Sequence, residues 1–292
     1  MNSTLPESAE SVTLTNMADV RGVIITALRK TSLAPLLDEL MPACIGGKML
    51  RARLTLAVGP ACQTDRETLL RAAAAVEMVH AASLLHDDVV DDALLRRGVP
   101  ALWRKKGVSG AILLGDLLVC QSLLLLDGLD DGRLAKALVR QSSEMCEAEV
   151  EQELITRGSA KDFAASMSIA RRKTGTLFAF AATAAECADE VRAAALLEAG
   201  YRLGTAYQLA DDVLDACGKG VADGKDLGKD AKKRKVTAMS AIGGSIDQAR
   251  QSIQECCASS AALLTPWPAV HAAWNAYLQS EFGPVVRVFS GE

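Results

Sequence analysis

The sequence predicts an all-α fold, and three observations support this prediction. None of the eight prolines falls between Ala101 and Thr265. The same stretch is rich in Ala, Leu, Glu, Lys and Arg, which favour helices. No strand-like alternation bounded by turn signals is seen. Glycine-containing breaks divide the 292 residues into some ten helices with short connections and no linker, so we expect one large domain with a sizeable core.

Composition and charge limit the possible function classes. The net charge of −4 gives no general affinity for nucleic acid or anionic membranes. The eight cysteines show no C-x-x-C pair and no metal-ligand spacing, which is typical of reduced thiols in a cytoplasmic protein. Residues 1–16 are polar and lack a signal-peptide pattern. We expect a disordered tail over 1–16 and a single domain over 17–292.

One stretch, 111–126, is apolar enough to be compared with a membrane span. It is shorter than the roughly 20 residues that a spanning helix needs, and it carries Asp116 and Gln121. We therefore expect a helix buried in a large core and no transmembrane segment.

The first elements combine an amphipathic helix with a basic turn. Residues 18–41 predict a helix that ends before Pro42. The motif Gly46-Gly-Lys-Met-Leu-Arg51 follows, and its two cations at a helix start suit an anionic oxygen, although taken alone the motif is better explained by a solvated helix cap. A helix over 65–93 comes next, with His80 near its middle.

Two aspartate clusters dominate the chemistry that the sequence suggests. Asp87 and Asp91 are four residues apart, so on a helix they share a face and repel each other. A divalent cation between them would relieve this repulsion, and Mg²⁺ takes such carboxylates together with waters and a substrate phosphate. A second copy, Asp211-Asp-Val-Leu-Asp215, lies on one helix stripe with Gln208. The two clusters could hold a diphosphate from both sides.

Basic groups accompany both clusters. Arg96-Arg97-Gly98 follows the first cluster and either neutralises it or binds phosphate through guanidinium forks. Arg171-Arg-Lys-Thr174 interrupts an apolar helix, whereas Glu147 to Gln152 is an acidic face more typical of structure than of catalysis. The stretch 218–237 is rich in Gly and Lys, which suits either a lid over phosphate or an exposed loop.

Together these motifs resemble the trans-isoprenyl diphosphate synthases, or polyprenyl synthetase family, over about residues 20 to 240. One aspartate motif would be a weak sign, but the ordered set is a strong one. In chain order it comprises Gly46-Gly-Lys-x-x-Arg51, His80, Asp87-Asp-x-x-Asp91 with Arg96-Arg-Gly98, Glu149 and Gln152, Lys173-Thr174, Gln208 with Asp211-Asp-x-x-Asp215, and Gly224-Lys225, Asp230, Lys235 and Thr237.

The resemblance implies the isoprenoid synthase fold, in which helices surround a large central cavity, and a homodimer. We add the hypothesis that the 111–126 helix contributes to the dimer interface. The resemblance also implies head-to-tail condensation of isopentenyl diphosphate with an allylic diphosphate, with three Mg²⁺ ions per site and Mn²⁺ able to substitute. The metal residues would be Asp87, Asp88, Asp91, Asp211, Asp212 and Asp215. Arg96, Lys173, Lys225 and Lys235 would bind the allylic diphosphate, Lys48, Arg51, His80 and Arg97 would bind isopentenyl diphosphate, and Thr174 and Gln208 would lie near the developing cation.

Product length in this family depends on side chains below the first aspartate motif. Here these positions are occupied by the small or medium residues Ser83, Ala82, Val79 and Val76. We therefore expect an all-trans product of at least twenty carbons, with a farnesyl diphosphate synthase as the alternative. A terpene cyclase, a head-to-head condensing enzyme and a non-catalytic synthase subunit are further alternatives, and the two complete aspartate motifs with their basic residues argue against all three. Met49, Ala52, Val99 and Ala101 depart from the family pattern and put affinity in doubt more than activity.

Overall fold

The computed structural model describes residues 9–155, 163–186, 188–216 and 245–282. These residues are almost entirely helical, so the all-α prediction is confirmed. The α-helices are α1 Ala9–Arg29, α2 Leu37–Cys44, α3 Leu50–Val58, α4 Arg66–Val90, α5 Leu102–Leu126, α6 Arg133–Val150, α7 Phe163–Ala170, α8 Thr176–Thr183, α9 Glu190–Ala216, α10 Ile246–Ala262 and α11 Pro268–Tyr277. Short 3₁₀ turns span Ala34–Leu36, Gly59–Cys62 and Asp130–Gly132, and π-helical turns span Glu151–Ile155, Arg171–Gly175 and Leu278–Phe282.

The central helix of the fold is α4. Its start is capped by Asp65, whose side chain accepts the Thr68 N–H at 2.9 Å. An alanine-rich run then allows close packing on every side of the helix. Ala72, Val76 and Val79 belong to a core shared with α3, α6, α8, α9, α10 and α11. The next face of α4 packs in a second core with α1, α2, α3 and α5. The aspartate motif at the end of α4 is therefore held by a helix that is buried on both sides.

The single helix expected over 18–41 is wrong, because the chain breaks after α1 and restarts as α2. The Thr31 hydroxyl donates to the Leu28 carbonyl at 2.7 Å and accepts the Leu33 N–H at 3.2 Å. These local bonds compete with the helix and turn the chain before Pro35. α2 continues through Pro42, which lies inside it. α1 begins at Ala9, within the segment expected to be a tail, while the division into a tail and one domain stays a prediction.

A small antiparallel hairpin corrects the expectation that the chain has no strands. β1 Leu95–Arg96 pairs with β2 Val99–Pro100. The two residues between the strands, Arg97 and Gly98, have φ angles of 53° and 75°. A two-residue turn with positive φ at both positions matches the twist of paired strands. Strands of two residues are too short to produce an alternating pattern in the sequence, yet they fix the direction of both arginines.

Two described helices, α4 and α5, are long and apolar enough to cross a membrane by length and composition alone, which is weak evidence for a span. In α4, 72% of the relevant window is buried inside the protein, as a core helix requires. In α5 only 28% is buried, so the expectation that 111–126 lies inside the core holds for one side of the helix. Leu113 and Leu124 remain 66% and 59% exposed on the other side.

Candidate active site

A cavity of about 650 Å³ lies where the end of α4 meets α3, α6, α8 and α9. It collects most of the residues that the sequence singled out, although these come from six separate segments. The predicted residues that line it are Lys48, Arg51, Val79, His80, Ala82, Ser83, Asp87, Asp91, Arg96, Arg97, Lys173, Thr174, Gln208, Asp211 and Asp212.

Five predicted site residues are not placed in this lining, and one of them, Asp88, is described with its own contacts below. Val76 is fully buried in the core and does not reach the cavity. Asp215 lies in α9, one turn beyond Asp211. Lys225 and Lys235 fall outside the described residues, as does the whole Gly- and Lys-rich stretch 218–237. The roles predicted for these residues stay predictions.

Asp87 and Asp91 lie at the end of α4 and both face the cavity. Asp91 is the C-cap residue, and its N–H donates to the Asp87 carbonyl at 2.7 Å, so the helical spacing persists to the end of the motif. Carboxylates at a helix C-terminus meet the negative end of the helix dipole, and the last turn of α4 carries no basic residue. This arrangement favours a bound cation.

Asp88, the third aspartate of the first motif, has a different environment. It is 3% exposed and binds Arg96 through three contacts, with Arg96 Nη2 at 2.5 Å from Oδ1 and Nε at 3.0 and 3.2 Å from the two oxygens. The pair anchors the hairpin to α4 in a bidentate geometry. Asp88 does not line the cavity, whereas Arg96 does. Its predicted support of a metal therefore stays a prediction, and the contact that the structure gives it is structural.

The second aspartate motif is connected to the π-helical turn Arg171–Gly175 by a chain of hydrogen bonds. The Thr174 hydroxyl donates to Gln208 Oε1 at 2.6 Å, and Gln208 Nε2 donates to Asp212 Oδ1 at 2.8 Å. α9 reaches this position because it packs closely on the turn that carries Thr174. A Cβ on Gly204 would lie 2.6 Å from the Gly175 Cα, so only glycine permits this approach.

Lys173 is a cation of the cavity lining that interacts electrostatically with the first aspartate motif. Its Nζ lies 2.5 Å from Glu149 Oε1 and 3.3 Å from Gln152 Oε1. Burial works to lower the pKa of Lys173, but the carboxylates of Glu149, Asp87 and Asp91 outweigh burial and raise that pKa above its usual range. Lys173 is therefore charged at neutral pH and faces the position where an anion would approach Asp87 and Asp91.

Lys173 and Gln152 each lie in a π-helical turn, a local widening that is frequent at functional sites. The neighbouring arginines have structural contacts instead. Arg171 pairs with Glu198 at 2.6 Å and Arg172 with Glu151 at 2.6 Å, and neither arginine lines the cavity. Of the predicted basic group 171–173, only the lysine belongs to the site.

Arg51 is a buried cation whose hydrogen-bonding capacity is not filled. It is 8% exposed, and its Cζ lies 4.8 Å from the centre of the Phe178 ring. Burial lowers its pKa, although Glu77 partly offsets that effect. Within the described part of the chain, the buried Nε has no hydrogen-bond partner. An unsatisfied buried donor is costly, and because Arg51 also lines the cavity, its guanidinium is a candidate contact for an anionic ligand.

Arg97 lies against the glycines of the first motif. A Cβ on Gly46 would lie 1.7 Å from Arg97 Nη1, and one on Gly47 would lie 2.7 Å from Nη2. The two glycines therefore leave room for the guanidinium beside Lys48, which is exposed at the edge of the cavity. The basic residues Lys48, Arg51 and Arg97 thus converge on one wall.

Sequence reasoning missed several residues of the site. Glu77 lines the cavity, is 6% exposed, and accepts the Ala52 N–H at 3.0 Å. The one signal for it was a single acidic residue inside the apolar run of α4. Met145 and Cys146 of α6 and Tyr207 of α9 also line the cavity, and nothing in their sequence context distinguishes them from core residues.

The aspartates of the cavity would hold a metal ion together with a substrate phosphate and waters. Among the described residues, no group of three or more His, Cys, Asp or Glu side chains is placed to hold a metal ion. Mg²⁺, however, is usually bound by one or two carboxylates together with substrate phosphates and waters. Asp87, Asp91 and Asp211 around one cavity fit this mode of binding.

An almost entirely helical fold whose cavity is lined by aspartates of two aspartate motifs is typical of the isoprenoid synthase class. The chain belongs to the polyprenyl synthetase family, whose model matches residues 34–262. The resemblance seen in the sequence motifs is thereby confirmed.

Similar proteins include synthases of different product lengths. Over 208 residues the chain is 36% identical to geranylgeranyl diphosphate synthase of Mycobacterium tuberculosis, covering 68% of this chain and 59% of that protein. Over 223 residues it is 37% identical to the probable farnesyl diphosphate synthase of Sinorhizobium fredii, covering 70% and 66%. The matched part therefore spans less than two thirds of either relative.

Solved structures of the same fold match nearly the whole chain. The crystal structure of a decaprenyl diphosphate synthase from Rhodobacter capsulatus has a TM-score of 0.82 at 27% identity and covers 95% of this chain and 97% of that one. The polyprenyl synthase from Caulobacter crescentus, complexed with calcium and isoprenyl diphosphate, has a TM-score of 0.80 at 28% identity and covers 91% and 94%. These likenesses confirm the isoprenoid synthase fold.

Proposed function

We propose that the chain is a Mg²⁺-dependent prenyltransferase. It condenses isopentenyl diphosphate head-to-tail with an allylic diphosphate, gives an all-trans polyprenyl diphosphate of at least twenty carbons, and releases diphosphate. The observation that carries the proposal is that one cavity is lined by aspartates of both motifs and, on a separate wall, by the cations Lys48, Arg51 and Arg97. The two sets suit two diphosphates, one held through metal and one held by side chains alone. The Caulobacter crescentus neighbour, complexed with calcium and isoprenyl diphosphate, supports the substrate class.

Asp87, Asp91 and Asp211 would hold Mg²⁺, with three ions per site and Mn²⁺ as a substitute. When bound, Mg²⁺ supplies charge stabilisation to the departing diphosphate. Lys173 adds a protein cation at the same position, and its ion pair with Glu149 fixes the side chain before a substrate arrives.

The second substrate has its own set of contacts. The unfilled donor of Arg51, the guanidinium of Arg97 and the ammonium of Lys48 would bind the diphosphate of isopentenyl diphosphate, and His80 would contribute a further contact. Guanidinium groups match phosphate oxygens in a bidentate geometry. This wall therefore holds the nucleophilic double bond near the allylic carbon without a metal of its own.

The reaction then follows from charge and exclusion of water. The allylic C–O bond breaks, the double bond of isopentenyl diphosphate attacks the resulting cation, and a proton is lost to the released diphosphate. The oxygens of Thr174 and Gln208, joined at 2.6 Å, stand beside this region. Apolar walls formed by Val79, Ile169 and Leu177 keep water from the cation.

Product length is set by the depth of the cavity. Val79, Ala82 and Ser83 line it, while Val76 does not. Val79 lies eight residues before Asp87, or roughly 12 Å along the helix. Apart from Tyr207, the described lining has no Phe, Tyr or Trp. We therefore propose a product of at least twenty carbons. Val79, together with Met145 and Leu177, would form the floor of the cavity.

A homodimer is part of the proposal, and the exposed apolar side of α5 would form the interface. Leu113 is 66% exposed and Leu124 59% exposed, while Ile112 is 39% exposed beside them. An Ile112→Glu variant should sediment as a monomer, and a persistent dimer would show that the interface lies elsewhere. A cytoplasmic location agrees with the described cysteines, which are free thiols.

Diphosphate release tests the proposal directly. Purified protein with isopentenyl diphosphate and an allylic starter should release diphosphate only when Mg²⁺ is present. Asp87→Asn should lower the rate by about 100-fold or more, as expected when a charge-stabilising group is lost. Asp92→Asn is the matched control, because Asp92 is exposed and does not line the cavity. Equal rates for the two variants, or diphosphate release without Mg²⁺, would refute the assignment. Diphosphate release without condensation of the two substrates would favour a cyclase.

A further inference from the structure

The backbone that carries Lys48 and Arg51 is strained. Between them, Met49 has φ 50° and ψ 46°, in the left-handed region, and its side chain is 4% exposed. A long side chain rarely adopts this conformation without support from its surroundings. Such strain persists only where neighbouring groups hold the chain in place.

Hydrogen bonds from three side chains hold this turn. Glu77 Oε1 accepts the Ala52 N–H at 3.0 Å, which caps the start of α3. Arg53 Nε donates to the Lys48 carbonyl at 2.8 Å. The Tyr277 hydroxyl donates to the Leu50 carbonyl at 2.9 Å. The bonded carbonyls lie directly before and directly after Met49, so these contacts fix both sides of the strained residue.

Tyr277, and Glu281, which acts through Arg53, come from the C-terminal segment Pro268–Phe282, which comprises α11 and its π-helical turn. Tyr277 is 4% exposed. Glu281 accepts from Arg53 Nη1 at 2.9 Å, and this ion pair orients the guanidinium whose Nε binds the Lys48 carbonyl. The segment lies beyond the range 34–262 that the family model matches. It nevertheless packs behind the wall of the cavity formed by Lys48, Arg51 and Arg97, which we call the basic wall.

The same segment also supports a second part of that wall. Phe282 is buried, and its ring lies 6.3 Å from the Tyr207 ring in an edge contact. Tyr207 lines the cavity next to Phe178, whose ring lies under Arg51. The C-terminal segment therefore packs behind the residues that surround Arg51.

We propose that Tyr277 and Glu281 are positioning residues for the substrate diphosphate that binds without metal. They touch no substrate, but they hold the strained turn that directs Lys48 and Arg51 into the cavity. This inference rests on the proposed function, since it assigns the basic wall to isopentenyl diphosphate. It predicts an effect on one substrate alone, because the hydrogen bonds of Tyr277 and Glu281 go to Leu50 and Arg53 of α3, whereas the aspartate motifs lie on α4 and α9.

The test compares Tyr277→Phe with Ser260→Ala. Tyr277→Phe removes only the hydroxyl that binds the Leu50 carbonyl. Ser260→Ala removes the acceptor of the Trp274 Nε1–H bond of 3.0 Å, which also fixes α11 but lies away from the turn. We expect Tyr277→Phe to raise the KM for isopentenyl diphosphate about fivefold or more, while kcat and the KM for the allylic substrate change less than about twofold. Ser260→Ala should lower thermal stability and leave both KM values unchanged.

Glu281 provides the second comparison. Glu281→Gln keeps an acceptor for Arg53 and should retain most of the affinity that Glu281→Ala loses. Two results would show that α11 is a general structural support and would overturn the inference. One is a KM that rises equally for both substrates, and the other is a Ser260→Ala variant that raises the KM for isopentenyl diphosphate alone.

A binding measurement separates this inference from the proposed function. Isopentenyl diphosphate is titrated into each variant by calorimetry without Mg²⁺, so that no turnover is needed. We expect Tyr277→Phe to weaken binding about fivefold or more relative to the wild type. Unchanged binding would overturn the positioning role even in an active enzyme. An inactive wild type that still binds this probe would instead contradict the proposed reaction.

Discussion

The close approach of α9 to the turn Arg171–Gly175 makes Gly204→Ala an informative substitution. The new Cβ would lie 2.6 Å from the Gly175 Cα and 3.0 Å from the Thr174 carbonyl oxygen. Both are backbone atoms, so one of the two segments must shift. Forcing a methyl group into a packed interface costs about 1–3 kcal/mol, while alanine in place of glycine within a helix gains roughly 1 kcal/mol.

Gly22→Ala is the matched control, because Gly22 lies in α1 with no atom within 4 Å of an added Cβ. The propensity gain is common to both variants, so their stabilities should differ by the steric cost alone. At roughly 2–4 °C per kcal/mol, Gly204→Ala should unfold about 2–12 °C below Gly22→Ala. Thermal unfolding followed by circular dichroism measures this difference. Equal melting temperatures would refute the close packing that places Thr174 beside Gln208.

Three further predictions concern charge, the basic wall and product length. Burial works to raise the pKa of Glu186, but hydrogen bonds from Arg192 and from two backbone N–H groups hold it below the ordinary 4.5. The stabilisation of the fold by ionised Glu186 is therefore present above about pH 4.5 and is lost as the pH falls. Glu186→Gln should lower the stability of the protein at neutral pH and make that stability depend less on pH in the acid range. An acid-unfolding curve identical to that of the wild type would contradict this. Gly46→Ala displaces the mobile end of Arg97, so the KM for isopentenyl diphosphate should rise with little loss of melting temperature, and an unchanged KM would argue against Arg97 as a ligand. Val79→Phe should shorten the product, and identical chain lengths would place the floor elsewhere.

The sequence predicted the parts of the site that depend on local spacing. Asp87 and Asp91 share a face because four residues make about one helical turn, and this spacing survives in the structure. The same is true of Gln208 and Asp212, which are joined by a hydrogen bond. Motif order then identified the family, which in turn implied that distant motifs meet in one cavity.

What the sequence could not show depends on packing between distant segments. The partner of Asp88 is Arg96, and that pairing needs a hairpin too short to leave an alternating pattern. The left-handed turn at Met49 is stabilised by hydrogen bonds from Glu77 of α4 and Tyr277 of α11, and nothing near Met49 in the sequence predicts this turn. The sequence did not predict the exposed side of α5, because a run of apolar residues indicates a buried helix whether or not a neighbouring element covers it.

Product analysis tests the central claim most directly. Purified protein is incubated with Mg²⁺, labelled isopentenyl diphosphate and, in separate reactions, allylic starters of ten, fifteen and twenty carbons. The products are dephosphorylated and sized by chromatography. We expect all-trans chains of at least twenty carbons that form only with Mg²⁺. A product that stops at fifteen carbons would contradict the proposed floor at Val79, and no condensation of any starter by folded protein would contradict the assignment as a prenyltransferase.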